Sequence, residues 1–272
     1  MKRYCALLLA CSLLLCACGG QEQEPALQTE AYTEVTVPSE TTTEPTETAE
    51  TVPMTTEAVQ PVHSDLYHPG YTLEEMQEFF AEVVLDVEYS DGTGDSTLVQ
   101  KWVEPIRYRF FGIPTREDRA VLDVFFDQLN EIEGFPGIYP AGEEETENLR
   151  ISFLPPDVFR SSFSGAINGE DAFGATQYWY YTDTNDIYSA RIGYRTDLDQ
   201  TVRNSILLEE IVNTLGISDT LLREASITYQ HTNENLVLSD VDWILLKLLY
   251  HPDMHCGMDG QQCASVIERL YY

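Results

Sequence analysis

Three oxygen-bearing side chains in one short stretch have the spacing of a metal-binding or catalytic group. Glu209 and Asn213 lie four residues apart, which puts them on one face of a helix, and Asp219 follows where that helix would end. Carboxylate and amide oxygens suit calcium, magnesium or manganese better than zinc, so the three could hold a hard divalent cation if they converge. Glu210 points about 100° away from Glu209, so the two glutamates are not a paired acid–base dyad.

A structural interpretation of the same residues is also open. Adjacent glutamates near the middle of a helix are typical of its solvated edge, Asn213 is an ordinary polar helix residue, and Asp219 suits a turn. The two interpretations differ in geometry, because a metal site needs the three sets of oxygens within about 3–5 Å of one point.

The stretch resembles the zinc-binding helix of the metzincin proteases. In that family, two histidines on one helix face and a third beyond a glycine turn bind zinc, and a glutamate beside the first histidine is the general base. Glu209, Asn213 and Asp219 occupy the histidine positions, Glu210 the general-base position and Gly216 the turn. The resemblance implies an α+β, zincin- or metzincin-like fold with a small mixed sheet, an active-site-type helix and a C-terminal helical lobe. It implies no ordinary zinc site, because the imidazoles are missing.

Four stretches, which include the helix just described, carry a second resemblance over about residues 72–260. They are Lys101-Trp102 with Pro105-Ile106, residues 209–217, Ser226-Ile227 with Tyr229-Gln230, and residues 238–258. In these the chain is similar to the bacterial family called domain of unknown function 2927. That family implies a fold and no activity.

These residues predict a domain that binds a peptide or a component of the cell envelope without catalysis, and no cofactor is expected. The alternative is a metal-assisted, peptidase-like hydrolase that uses Glu210 as its general base and an oxygen-bound divalent cation.

Aromatic residues crowd one predicted strand pair. In the strand of residues 177–181, alternation puts Trp179 and Tyr181 on one face and Tyr178 and Tyr180 on the other. Such a strand could bind a peptide or a glycan through Trp179 and Tyr181. Core and cross-strand packing explains aromatic residues in strands equally well.

Hydrophobic periodicity and capping residues predict the elements that position these side chains. The predicted helices start at Thr72 and Thr115 and cover residues 202–215, 240–250 and 263–270. The predicted strands cover residues 106–111, 149–154, 177–181 and 187–194.

The N-terminal region predicts a bacterial lipoprotein. Residues 1–17 have a basic start, a short apolar run and small residues before Cys18, a pattern that resembles a lipobox and implies acylation of Cys18. Residues 18–65 are rich in Thr, Glu and Pro and predict a disordered stalk, and residues 66–272 a single domain. The expected location is the extracytoplasmic face of the cell membrane, with the lipid as anchor. An ordinary cleaved signal is the alternative.

The net charge limits the class of partner, and the remaining cysteines predict a covalent link. The net charge is −31, and about −33 without the two basic residues of the signal peptide, which excludes a nucleic-acid partner. Cys256 and Cys263 remain beyond the lipidation site, and a local disulfide is expected in an oxidising compartment, with a metal-binding pair as the alternative.

Overall fold

The computed structural model describes residues 64–85, 98–164 and 172–272. The predicted signal peptide, Cys18 and nearly all of the predicted stalk lie outside these residues. The helices are α1 (Leu73–Phe80, continued by a π-helical turn Ala81–Leu85), α2 (Arg116–Asn130), α3 (Pro156–Ser162), α4 (Gln200–Thr214), α5 (Asp240–Tyr250) and α6 (Gly260–Leu270). The strands are β1 (Lys101–Trp102), β2 (Ile106–Phe111), β3 (Ile138–Pro140), β4 (Leu149–Leu154), β5 (Gly174–Tyr180) and β6 (Asp186–Arg195). In these ranges no helix has the length and apolar character needed to cross a membrane.

The strands form one mostly parallel mixed sheet. The order is β3-β2-β4-β6, with all neighbours parallel, and β6 also pairs with β1 and β5. The short β1 pairs in parallel with Asp186 and Ile187 at the start of β6, and β5 pairs with β6 in antiparallel fashion from Ile187 to Tyr194. The predicted α+β class with a small mixed sheet is therefore confirmed.

Capping residues begin the helices where the sequence predicts them. Thr72, Thr115 and Ser239 each accept a hydrogen bond from the backbone N–H three residues later. The acidic side chain at that later position accepts a hydrogen bond from the backbone N–H of the cap residue. Each exchange satisfies two backbone donors that a helix start leaves open. Asp259 caps α6 in the same way, so that helix begins three residues earlier than predicted.

The sequence does not predict β1, β3 or α3. The two strands have only two and three residues, too few to show an alternating pattern. The third element starts after Pro155 and has no side-chain cap, so the usual signal of a helix start is missing.

Helices cover both faces of the sheet. On one face, α2 and α4 pack against the large core, which includes Ile192 and Tyr194 of β6. On the other, Phe159 of α3 and Phe163, which follows the helix, form a smaller cluster, and the ring of Phe163 lies against Gly193. The side chains of β6 alternate between the two layers, as expected of a strand buried on both sides.

A buried ion pair joins the two helices of the larger layer. The guanidinium of Arg203 on α4 donates from Nε to Asp118 Oδ1 at 3.2 Å and from Nη2 to Asp118 Oδ2. Asp118 is fully buried and also accepts from Gln200 at 2.7 Å and from the backbone of Thr115 at 2.7 Å. Every oxygen of this buried carboxylate therefore has a partner, and the start of α4 is fixed against α2.

Candidate functional site

The helix α4, which carries the predicted site residues, ends at a glycine as the sequence predicts. Gly216 has a φ of +98°, and a Cβ at this position would lie 2.1 Å from the backbone oxygen of Gln100. Both the left-handed backbone and the close approach require glycine. The chain then passes Ser218, whose backbone N–H donates to Val83 O at 2.6 Å. This contact fixes the segment after α4 against the π-helical turn.

Glu210 lies against β5 and is only 7 % exposed. The hydroxyl of Thr176 is 2.6 Å from Glu210 Oε2 and 3.0 Å from the backbone oxygen of Glu210. On the same side, a Cβ on Gly174 would lie 2.3 Å from Glu210 Oε1, so the carboxyl group fits over a residue without a side chain. The interpretation of Glu210 as part of a solvated helix edge is therefore wrong, because β5 covers it.

The surroundings of Glu210 favour its protonated form. Burial raises the pKa of this carboxyl to about 8, and the nearby Asp219 acts in the same direction, while the hydrogen bond from Thr176 opposes them. The Thr176 hydroxyl carries one proton but touches two oxygens of Glu210. A neutral carboxyl can itself donate to that hydroxyl and leave the threonine proton for the backbone oxygen. Burial and this hydrogen-bonding pattern both favour a protonated Glu210 over an ionised one.

Two of the three predicted metal ligands, Asn213 and Asp219, are hydrogen-bonded to each other. Asn213 Nδ2 donates to Asp219 Oδ1 at 3.0 Å, and Asn213 Oδ1 is buried without a hydrogen-bond partner. The asparagine therefore turns a donor, which cannot bind a cation, toward the aspartate. Over the part of the chain that the structure describes, no group of three or more His, Cys, Asp or Glu side chains could hold a metal ion.

A buried aspartate that the sequence analysis does not single out holds the segment after α4 in place. Asp242 of α5 accepts from the Ser226 hydroxyl at 2.6 Å and from the backbone N–H of Ile227 at 3.0 Å. It also accepts from Ser239 as part of the helix cap. Its position three residues after Ser239 was a visible sign of the cap, but its bonds to residues 226 and 227 have no local signature.

Strand β5 has one paired edge and one edge without a partner strand among the described residues. In β6, the backbone N–H of Ala190 donates to Asn148 O, on the side of β4. The backbone N–H of Arg195 donates to Phe173 O at 3.1 Å, on the side of β5. Since hydrogen-bonding directions alternate along a strand, the odd-numbered residues of β5 bond to β6. The backbone groups of Gly174, Thr176 and Tyr178 consequently point to the outer edge, which is where another strand could add.

Exposed aromatic side chains surround the turn at the end of β5. We call them the aromatic tip: Trp179, Tyr180, Tyr181 and Tyr188, with 38–53 % of each residue exposed. A bulge between Trp179 and Tyr180 interrupts the predicted alternation, so these neighbours are both exposed. Tyr181 lies beyond the end of the strand and stacks on Tyr188, with ring centroids 4.5 Å apart. The sequence predicts Trp179 and Tyr181 as binding residues, and the structure adds Tyr188 as the stacking partner.

A separate cleft of about 410 Å³ lies beside β1 and the β5–β6 turn. Its lining includes Lys101, whose ammonium donates to Leu249 O at 2.8 Å and to Met254 O. Burial lowers the pKa of Lys101 to about 8. Because this cation bonds to carbonyls at and beyond the end of α5, it has a clear structural role as a cap.

The two C-terminal cysteines, Cys256 and Cys263, are both free thiols, so the predicted disulfide is not formed in this structure. The Cys256 thiol lies 3.6 Å from Lys101 O, where it can donate, whereas Cys263 is buried in α6. Burial raises the pKa of each thiol to about 11. Closeness in sequence does not pair them, because each thiol is held in different surroundings.

Comparison with known proteins agrees with the second resemblance found in the sequence. The model of a family described as a protein of unknown function (DUF2927) matches residues 73–269. No curated protein matches the chain. The family match spans α1 to α6, including the helix with Glu209 and Glu210 and the strand with the aromatic tip. The chain therefore belongs to the DUF2927 family.

Proposed function

We propose that this protein is a cell-surface lipoprotein whose domain binds an extended peptide by strand addition and does not cleave it. The observation that carries the proposal is the outer edge of β5, where the backbone groups of Gly174, Thr176 and Tyr178 face away from the sheet. Peptides commonly bind by adding a strand to such an edge, and adjacent side-chain contacts supply the specificity. The aromatic tip at the end of β5 offers such contacts.

The sheet order supports a degenerate metzincin-like fold. Four parallel strands lead to an antiparallel edge strand, and α4 with the histidine-replacing residues follows the β5–β6 hairpin directly. In this arrangement the helix that would carry zinc packs beside the strand that would hold the peptide. Binding can therefore persist in this domain after the zinc ligands have been lost.

The surroundings of Glu210 support binding rather than hydrolysis. A general base must be ionised and must reach the attacking water. Glu210 is covered by Gly174 and Thr176, and burial raises its pKa to about 8. Its contacts join α4 to β5 and thereby support the edge strand itself.

The N-terminal sequence supports the location. The basic start, the short apolar run and the small residues before Cys18 fit a lipid anchor on the outer face of the membrane, and the Thr-, Glu- and Pro-rich residues 18–65 fit a spacer. A peptide or protein of the envelope is then the ligand within reach.

Hydrogen exchange with a defined peptide pool tests the proposal. The full chain is incubated with an excess of synthetic nine-residue peptides of mixed sequence, and exchange is measured by mass spectrometry at peptide resolution. The amides of Gly174, Thr176 and Tyr178 should exchange more slowly with the pool present, because the added strand accepts from them. The edge strand β3, at the opposite side of the sheet, is the internal control and should not change.

Two further readouts separate binding from catalysis. A second pool with an N-methyl group on every residue should give no protection, since neither edge of such a peptide can donate backbone hydrogen bonds to β5. The masses of the unmodified peptides should be unchanged after the incubation. Cleaved peptides would support the hydrolase, and an unprotected β5 would refute strand addition.

A further inference from the structure

The chain has far more acidic than basic side chains, and most of them belong to the folded domain. There are 46 Asp and Glu residues against 15 Lys and Arg. Only ten of the acidic residues precede residue 66, so the excess is not confined to the predicted stalk. A surface of this charge attracts cationic ligands and repels anionic ones over a distance of about 10 Å at moderate salt.

The aromatic tip has the chemistry to receive a cation. Tyr181 and Tyr188 stack on each other at an angle of 30°, and both keep a large part of their surface in solvent. Asp183 lies in the turn between them and is exposed. The negative face of an aromatic ring attracts ammonium and guanidinium groups, and a neighbouring carboxylate strengthens the attraction.

One ring of the aromatic tip already has a cation beside it. The guanidinium of Arg191 lies 5.9 Å from the centre of the Trp179 ring, and its Nε donates to Gln177 at 2.7 Å. Arg191 also donates to the backbone oxygen of Ser162 at 3.2 Å. This arginine is held by its own partners, so it leaves the Tyr181–Tyr188 pair open to a cation from outside.

We infer that the ligand of β5 is a cationic peptide, whose lysine or arginine side chains contact Tyr181, Tyr188 and Asp183 while its backbone pairs with the outer edge of the strand. The inference rests on the proposed function, because strand addition brings the peptide to the aromatic tip. The seven residues of β5 extend for about 20 Å. A peptide of seven to nine residues therefore reaches from Gly174 to the tip with a basic residue at that end.

Three peptides that are positively charged, neutral or negatively charged at alternate residues test the inference. Each has nine residues, with threonine alternating with lysine, glutamine or glutamate, and binding to the full chain is measured by fluorescence anisotropy of an attached dye. We expect the lysine peptide to bind about tenfold more tightly than the glutamine peptide at low salt, and the glutamate peptide not to bind. The preference for lysine should shrink as salt is added.

Variants locate the preference on the aromatic tip. The double variant Tyr181→Ala and Tyr188→Ala should weaken the lysine peptide by about tenfold and the glutamine peptide much less. Asp183→Asn should weaken the lysine peptide by about threefold. Tyr139→Ala is the matched control, because Tyr139 is an exposed tyrosine on the opposite edge strand with Arg107 near its ring, and it should change neither affinity.

The outcomes distinguish this inference from the proposed function. Equal binding of the lysine and glutamine peptides would overturn the charge preference and leave strand addition standing. If none of the three binds, both are overturned. Salt-sensitive lysine binding that survives the double variant would mean diffuse attraction to the acidic surface, and it would overturn the role of the tip. If an N-acetylglucosamine oligomer bound the aromatic tip more tightly than the lysine peptide does, the role of the tip as a cation site would also be overturned.

Discussion

Replacing Glu210 by glutamine should stabilise the protein at alkaline pH and leave it almost unchanged at acidic pH. Glutamine keeps the shape of the side chain and its hydrogen bonding with Thr176 but cannot ionise. The wild-type carboxyl is buried, and burial raises its pKa from the ordinary 4.5 to about 8. The difference between variant and wild type thus reports the ionisation of this one group.

The magnitude follows from the two pKa values. Below pH 4.5 the carboxyl is protonated in both the folded and the unfolded chain, so its proton does not favour either state. Between pH 4.5 and 8 the unfolded chain releases the proton while the folded protein retains it, and each pH unit lowers the free energy of unfolding by about 1.4 kcal/mol. From pH 5 to 8 the wild type should lose about 4 kcal/mol relative to Glu210→Gln. The loss levels off once the pH passes the folded pKa of about 8.

Urea unfolding of the full chain at pH 5, 6, 7, 8 and 9 measures this difference. Glu78→Gln is the matched control, since it removes the same charge from an exposed position on α1 and should give a nearly constant offset. A difference between Glu210→Gln and wild type that stays constant from pH 5 to 9 would refute the reasoning. It would mean that the carboxylate is ionised in the folded protein and that β5 does not shield it from water.

Three other substitutions or treatments have defined outcomes. Asp118→Ala should lower the free energy of unfolding by about 3–5 kcal/mol in urea titrations, because it leaves the guanidinium of Arg203 buried without its carboxylate; a loss below about 1 kcal/mol would contradict the burial of this pair. Gly174→Ala should cost about 1–3 kcal/mol and weaken peptide binding, since its Cβ would collide with the carboxyl packed over β5, whereas Gly142→Ala, with its nearest neighbour at 3.5 Å, should be neutral. Equal losses in the two alanine variants would argue against the close packing of α4 on β5. Alkylation of the unfolded chain without reductant should modify both C-terminal cysteines, as read by mass spectrometry, and a linked pair would show that the thiols are oxidised after all.

The starts of α1, α2 and α5 were predictable because their signals are local. A capping box needs only a threonine or serine and an acidic residue three positions later, as at Thr72, Thr115 and Ser239. The end of α4 was predictable for the same reason, because Gly216 adopts a backbone conformation that other residues avoid. The short β1 and β3 carry no such signal, since they become strands only by pairing with longer neighbours.

The candidate site was predictable in its residues and not in their surroundings. Spacing placed Glu209, Glu210 and Asn213 on one helix and Asp219 beyond its end, as the structure has them. It could not show that Glu210 would be covered, because the covering residues lie more than 30 positions earlier in the chain.

The sequence by itself determined the family, the acidic character, the starts of α1, α2 and α5, and the stop of α4, since each depends on residue types within a few positions or on composition. Only the tertiary structure decided which carboxyl is buried, which edge of β5 stays open and where the two cysteines lie. A strand edge is open or closed according to whether another strand pairs with it, and a carboxyl is ionised according to what surrounds it. Both depend on contacts between distant segments, which form only when the chain has folded.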